Sequence, residues 1–104
     1  MKGAPPTPSV YPSAQREVEI VLLREPGVPE ALARKVVAAV HRMREMDLTK
    51  PPGVAETIDW ARTLDFLGED LDADAADLTL GSVVKDHDDG ELVRSRLDEI
   101  TARG

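Results

Sequence analysis

The sequence predicts an all-α fold, a small bundle of four to five helices, and four observations predict it. Apolar residues recur at intervals of three and four, the period of one helical face. No stretch alternates apolar and polar residues as a half-buried strand does. One Phe, one Tyr and one Trp in 104 residues are also poor material for a sheet. Proline and glycine punctuate the chain at short intervals, so the connections are short, as a compact bundle requires.

Residues 1 to 12 carry Pro5, Pro6, Pro8 and Pro12 among Gly, Ala, Thr and Ser. They cannot propagate a helix and have little apolar area to bury, so they read as a flexible tail ahead of one helical domain, residues 13 to 104. Ser13 is placed to cap a first helix to about Arg24, with Val18, Val21 and Leu22 inward, before Glu25-Pro26-Gly27 breaks it. A second helix should run from Pro29 to about Met46, with Leu32, Val36, Val40 and Met43 on one face and Pro29 in its first turn. Asp47 to Pro52 then turns the chain into a third helix, about Gly53 to Leu67. There Val54, Ile58, Ala61 and Leu64 share a face, and Gly68 supplies the stop. Trp60, with Leu64 and Leu67 at the following turns, reads as core packing. A fourth helix is expected from about Asp74 to Lys85, with Leu80, Val83 and Val84 inward and Gly81 weakening its middle. A fifth periodic segment follows Asp88-Asp89-Gly90 through Leu92, Val93, Leu97 and Ile100.

Composition narrows the function. Thirteen basic and 20 acidic residues give a formal charge of −7, which disfavours non-specific binding to the nucleic-acid polyanion. With no cysteine there is no disulfide, thiolate zinc site or thiol nucleophile, a composition that fits a cytoplasmic protein. The longest apolar run, Ile20-Val21-Leu22-Leu23, is far short of the roughly 20 residues that span a bilayer, so no membrane partner is expected.

Chemistry-bearing residues are sparse. Asp70, Asp72, Asp74 and Asp77 resemble the start of a calcium loop, but counting from Asp70 the sixth and twelfth positions hold Ala75 and Gly81, where such a loop needs Gly and Glu. These aspartates read as solvated loop residues and helix caps. Asp86-His87-Asp88-Asp89 is metal-capable by residue type yet lacks same-face spacing, so no metal site is expected. Glu56 and Asp59 complement a helix N-terminus, and His41 reads as a polar-face residue with no nucleophile beside it in sequence. Ser82, in Leu80-Gly81-Ser82-Val83, lacks the Asp-Ser-Leu setting of a carrier protein's attachment serine. Arg34, Lys35, Arg42 and Arg44 form the one basic concentration and are candidates for meeting an acidic neighbour.

One stretch carries more. In Lys50-Pro51-Pro52-Gly53-Val54-Ala55-Glu56-Thr57-Ile58-Asp59-Trp60-Ala61, tandem prolines fix an extended approach, Gly53 permits a tight reversal and an amphipathic helix follows at once. This stretch resembles the approach to the lid helix in the C-terminal domain of MoxR-type AAA+ ATPases, especially those acting beside metalloenzyme maturation and von Willebrand A partners. Val10-Tyr11-Pro12-Ser13 with Arg16 to Val21 is similar to the passage from core to lid. Val28 to Ala33 and Leu80 to Asp86 are similar to later lid helices, and the likeness covers roughly residues 10 to 88.

The resemblance implies an AAA+ lid-like bundle that covers nucleotide and turns ATP binding into motion for chaperone-like remodelling or maturation of a client. It implies ATP and Mg²⁺ for the parent ATPase, and as partners an AAA+ core, of its own chain or a ring neighbour, and a von Willebrand A protein. The chain contains no Gly-x-x-x-x-Gly-Lys-[Ser/Thr] loop, so it is not expected to hydrolyse ATP alone. Many AAA+ lids carry an arginine near this helix start. Here Ala55 cannot neutralise phosphate and Glu56 would repel it, leaving Pro52, Gly53 and Val54 as the candidate nucleotide-proximal residues. The alternative is a stand-alone acidic helical interaction module.

Overall fold

The computed structural model describes residues 11–101. Among them the order is α1 (Ala14–Arg24), α2 (Glu30–Arg44), α3 (Val54–Leu67), α4 (Ala73–Thr79), a 3₁₀ turn (Leu80–Ser82), α5 (His87–Arg94) and α6 (Leu97–Ile100), with no strand. The chain is all-α, as its periodicity predicts.

Local chemistry explains the starts. Ser13, Asp72 and Asp86 each accept a hydrogen bond from a backbone N–H three residues on, at Arg16, Ala75 and Asp89, and so cap α1, α4 and α5. At α3 the glycine N-cap has no side chain to offer. Glu56 instead reaches back and accepts from Gly53 N at 2.9 Å. That helix stops where Gly68 turns left-handed at φ 71°. Gly68 N and Glu69 N then take the carbonyls of Asp65 and Leu64, both at 3.0 Å, closing the last turn.

Three boundaries depart from expectation. The second helix is shorter, because Pro29 is extended (ψ 141°) and serves as its N-cap, while Glu45 N and Met46 N make only short-range bonds to Arg42 and Met43. The fourth ends at Thr79 and tightens into the 3₁₀ turn, where Val83 N and Val84 N both bond Leu80 O. Gly81 and the β-branched Val83-Val84 offer little resistance to that change. The fifth divides, because Arg96 is non-helical (φ −130°, ψ 24°), and α6 turns Ile100 back onto α2.

α2 is the central element and packs on α1, α3 and α6. Val36, Val40 and Met43 from α2, and Trp60, Ala61 and Leu64 from α3, are all inaccessible to solvent. Burial of each large apolar side chain contributes about 1.5–3 kcal/mol. Leu67, expected beside them, is exposed because the helix ends there. The tail assigned to residues 1–12 lies, for 1–10, outside the described residues. Tyr11 and Pro12 belong to the folded domain, since both are half-buried and the Tyr11 ring lies against Arg44. The end of the expected domain, 102–104, also lies outside them.

Trp60 is the largest buried side chain, and its polar edge is satisfied. Its Nε1–H donates to Thr79 Oγ1 at 2.7 Å, and the Thr79 hydroxyl donates to Ala75 O at 2.7 Å. Removing the ring leaves a cavity between α3 and α4. Trp60→Ala is therefore expected to lower unfolding free energy by about 3–5 kcal/mol in urea melts, and an unshifted midpoint would refute the packing role.

Candidate functional site

The turn that carries the chain from α2 into α3 is held by two buried charges of opposite sign. The first is Arg44, on the last turn of α2. Its Nη1 and Nη2 donate to the two carboxylate oxygens of Glu17 at 2.7 and 2.9 Å, while its Nε donates to Pro52 O at 2.8 Å. The guanidinium also lies 4.0 Å from the centroid of the Tyr11 ring. Nη2 makes a longer approach of 3.5 Å to Thr57 Oγ1, whose hydroxyl donates to Gly53 O. One side chain thus joins α1, the Pro52 carbonyl and the first turn of α3.

Glu17 is completely buried, and the Arg44 side chain is 6% exposed. Burial alone would raise the Glu17 carboxyl pKa. The hydrogen bonds and charge of Arg44, with contacts from Thr57 and His41, outweigh it and hold the pKa below its ordinary 4.5. His41 Nε2 lies 3.0 Å from Glu17 Oε1, a spacing at which Nε2–H donates. A carboxylate so enclosed has both oxygens occupied. It anchors the scaffold and is not placed for proton transfer to a ligand.

The second charge is Asp89, 3% exposed on the first turn of α5. Its two oxygens accept from Thr49 N at 2.8 Å and Lys50 N at 2.7 Å. The backbone just before Pro51-Pro52 is therefore gripped from α5, and the backbone just after is gripped from α2. Between the grips, the two prolines remove backbone freedom.

Of the nucleotide-proximal candidates, Pro52 is buried with its carbonyl committed to Arg44, whereas Gly53 and Val54 are half-buried and Ala55 is exposed. Only the residues from Gly53 onward present appreciable surface. The basic candidates do not form one face. Arg34 pairs with Glu30 along α2, Lys35 reaches Asp70, and Arg42 donates to Ile100 O at 2.9 Å. Arg44 points inward, so it is corrected from an interface residue to a core one. The exposed pairs each contribute at most about 1 kcal/mol.

His41 is likewise no open polar-face residue, being half-buried on Glu17. Glu56 is spent on Gly53 N and Asp59 on Arg62, so they do not form an acid pair. Asp72 caps α4, Asp77 pairs with Arg94, and among the described residues no group of three or more His, Cys, Asp or Glu is set to hold a metal ion.

Sequence reasoning missed Glu17 and Asp89. Glu17 stands four residues before Val21, on the inward face of α1, and Arg44 stands four after Val40 on the inward face of α2. Opposite charges on two apolar stripes are a readable signal for a buried pair. The Asp89 contact spans 40 residues and leaves no local trace.

Breaking one side of the buried pair is the direct test. Glu17→Gln leaves the Arg44 cation enclosed, and the expected loss is about 3–5 kcal/mol at neutral pH by chemical denaturation. Because folding depresses the Glu17 pKa, its contribution is present above 4.5 and fades as pH falls through the lowered folded-state value. The wild-type protein should therefore lose more stability than Glu17→Gln on going from neutral to strongly acidic solution. Equal losses would remove Glu17 from the acid response.

No protein-family model, curated protein or solved structure matches the chain.

Proposed function

We propose that this chain is the lid of a MoxR-type AAA+ ATPase, with Gly53 and Val54 facing nucleotide bound by an ATPase core. The observation that supports it best is the Arg44 junction, which ties Tyr11, in the passage that resembles the exit from the core, to Pro52, in the approach to the lid helix. Both features of the resemblance thus meet at one side chain. A lid works as a lever, and a lever needs a rigid attachment between its hinge end and its ligand-facing turn. The bidentate Arg44–Glu17 pair and the Pro51-Pro52 step supply that stiffness.

The surface beyond Pro52 suits an apolar nucleotide edge such as adenine better than phosphate. Ala55 carries no charge, and Glu56 is acidic and already hydrogen-bonded to Gly53 N. In this reading the phosphates and Mg²⁺ are bound by the core, and the present chain contributes cover and motion. The same reading carries a cytoplasmic location, a client that the motion remodels or matures, and a von Willebrand A protein as a further partner.

A stand-alone interaction module is the second reading. It is favoured by the exposure of Phe66 (86%), Leu78 (75%) and Leu23 (72%), apolar side chains available to another protein.

Calorimetric titration separates the two. ATP and ADP are titrated into the 104-residue chain alone, into a MoxR-type core from the same genome, and into the two together. The lid reading expects no binding to the chain alone and tighter binding to the pair than to the core. Ala55→Glu, on an exposed position, should weaken nucleotide binding to the pair by about tenfold without moving the melting temperature of the chain. If the pair binds no more tightly than the core, the lid reading fails and the stand-alone module is favoured.

A further inference from the structure

Asp89 is an acidic residue with no ion-pair partner among the described residues, almost fully buried and turned away from solvent toward two backbone amides. Enclosing a carboxylate is costly unless donors compensate it, and here the donors are Thr49 N and Lys50 N. Those amides belong to neither α5 nor a helix end. They belong to the connection that leads through Pro51-Pro52 to Gly53.

We infer that Asp89 is a positioning residue for the ligand-facing turn, transmitting the placement of α5 and α6 to Gly53 and Val54; this rests on the lid reading. From Lys50 N the chain passes through two residues of fixed φ, the second held through its carbonyl by Arg44, to the N-cap of α3, so displacement of α5 relative to α2 strains the turn between the two grips. The other end of the same C-terminal pair is also tied down, since Arg42 donates to Ile100 O at 2.9 Å. α5 and α6 therefore lie between a contact on α2 and a grip on the turn. A partner that shifts them relative to α2 changes the attitude of Gly53 and Val54. Nucleotide bound there favours, in return, one placement of α5 and α6.

The test uses Asp89→Asn in the full chain. Its remaining carbonyl oxygen can accept only one of the two amides well, while its NH₂ opposes the other. Hydrogen exchange at Thr49 and Lys50 should accelerate about tenfold or more, with Ile58 and Leu64 in α3 still protected. In the pair with the ATPase core, ATP affinity should fall about tenfold. Asp89→Glu, which keeps the charge and both acceptors on a longer stem, should restore part of it.

Faster exchange at the two amides with unchanged ATP affinity would overturn the inference while leaving the lid reading intact. A wild-type pair that binds nucleotide no better than the core would overturn both. If Asp89→Asn does not fold, Asp89→Glu carries the comparison alone: ATP affinity and exchange at Thr49 and Lys50 changing together, or both unchanged, support the inference, and a change in one without the other refutes it.

Discussion

The Arg44–Glu17 ion pair fixes where three segments of this protein meet. A buried pair of this kind is a weak source of net stability, because the cost of removing two charges from water is close to what their attraction returns. Its effect here is geometric. The guanidinium presents planar donors at fixed angles, and two go to Glu17 while a third goes to Pro52 O. Any other docking of α1 on α2, or any other path into α3, leaves at least one of these groups buried without a partner. An ammonium group lacks that fork, so lysine cannot satisfy the same three acceptors.

Around that point the molecule divides into parts of different character. α2 and α3 are long helices that bury Met43, Trp60 and Leu64, whereas the segment from α4 to α6 is built from short helices. These are closed by side-chain bonds such as Ser95 Oγ to Leu92 O at 2.6 Å and Thr101 Oγ1 to Leu97 O at 2.8 Å. Few of its stabilising interactions are local to one long helix, since short helices contribute little cooperative hydrogen bonding of their own. The contacts back to α2 and α3, through Ile100, Leu80 and Thr79, define its position. The result is a three-helix frame with a C-terminal segment held to it at a few points.

Much of the frame was legible in the residues. Ser13, Gly68 and the spacing of Val36, Val40 and Met43 each state a helix start, a helix stop or an inward face through local rules. The later boundaries were harder, because Leu80, Val83 and Val84 suit a continued helix and a 3₁₀ turn equally well by periodicity. The choice between them follows from Gly81 and from the Trp60–Thr79 contact 19 residues apart. At the candidate site, the Pro51-Pro52-Gly53 approach is visible in the sequence, and what holds it is not. Arg44 reads as a member of a basic cluster until α1 is in place and Glu17 is seen to face it. Charge pattern along one helix cannot show which charges a second helix will enclose.

The sealing of Trp60 has an optical consequence. It is the single tryptophan of the chain, and its indole N–H already donates to Thr79, so the indole emission of this protein arises from one dry, hydrogen-bonded environment at the contact of α3 with α4. The fluorescence of the folded domain therefore follows the seating of α4 on α3 and is insulated from solvent quenchers. In a larger assembly, a change in that emission would mean that the segment beginning at α4 had loosened from its frame.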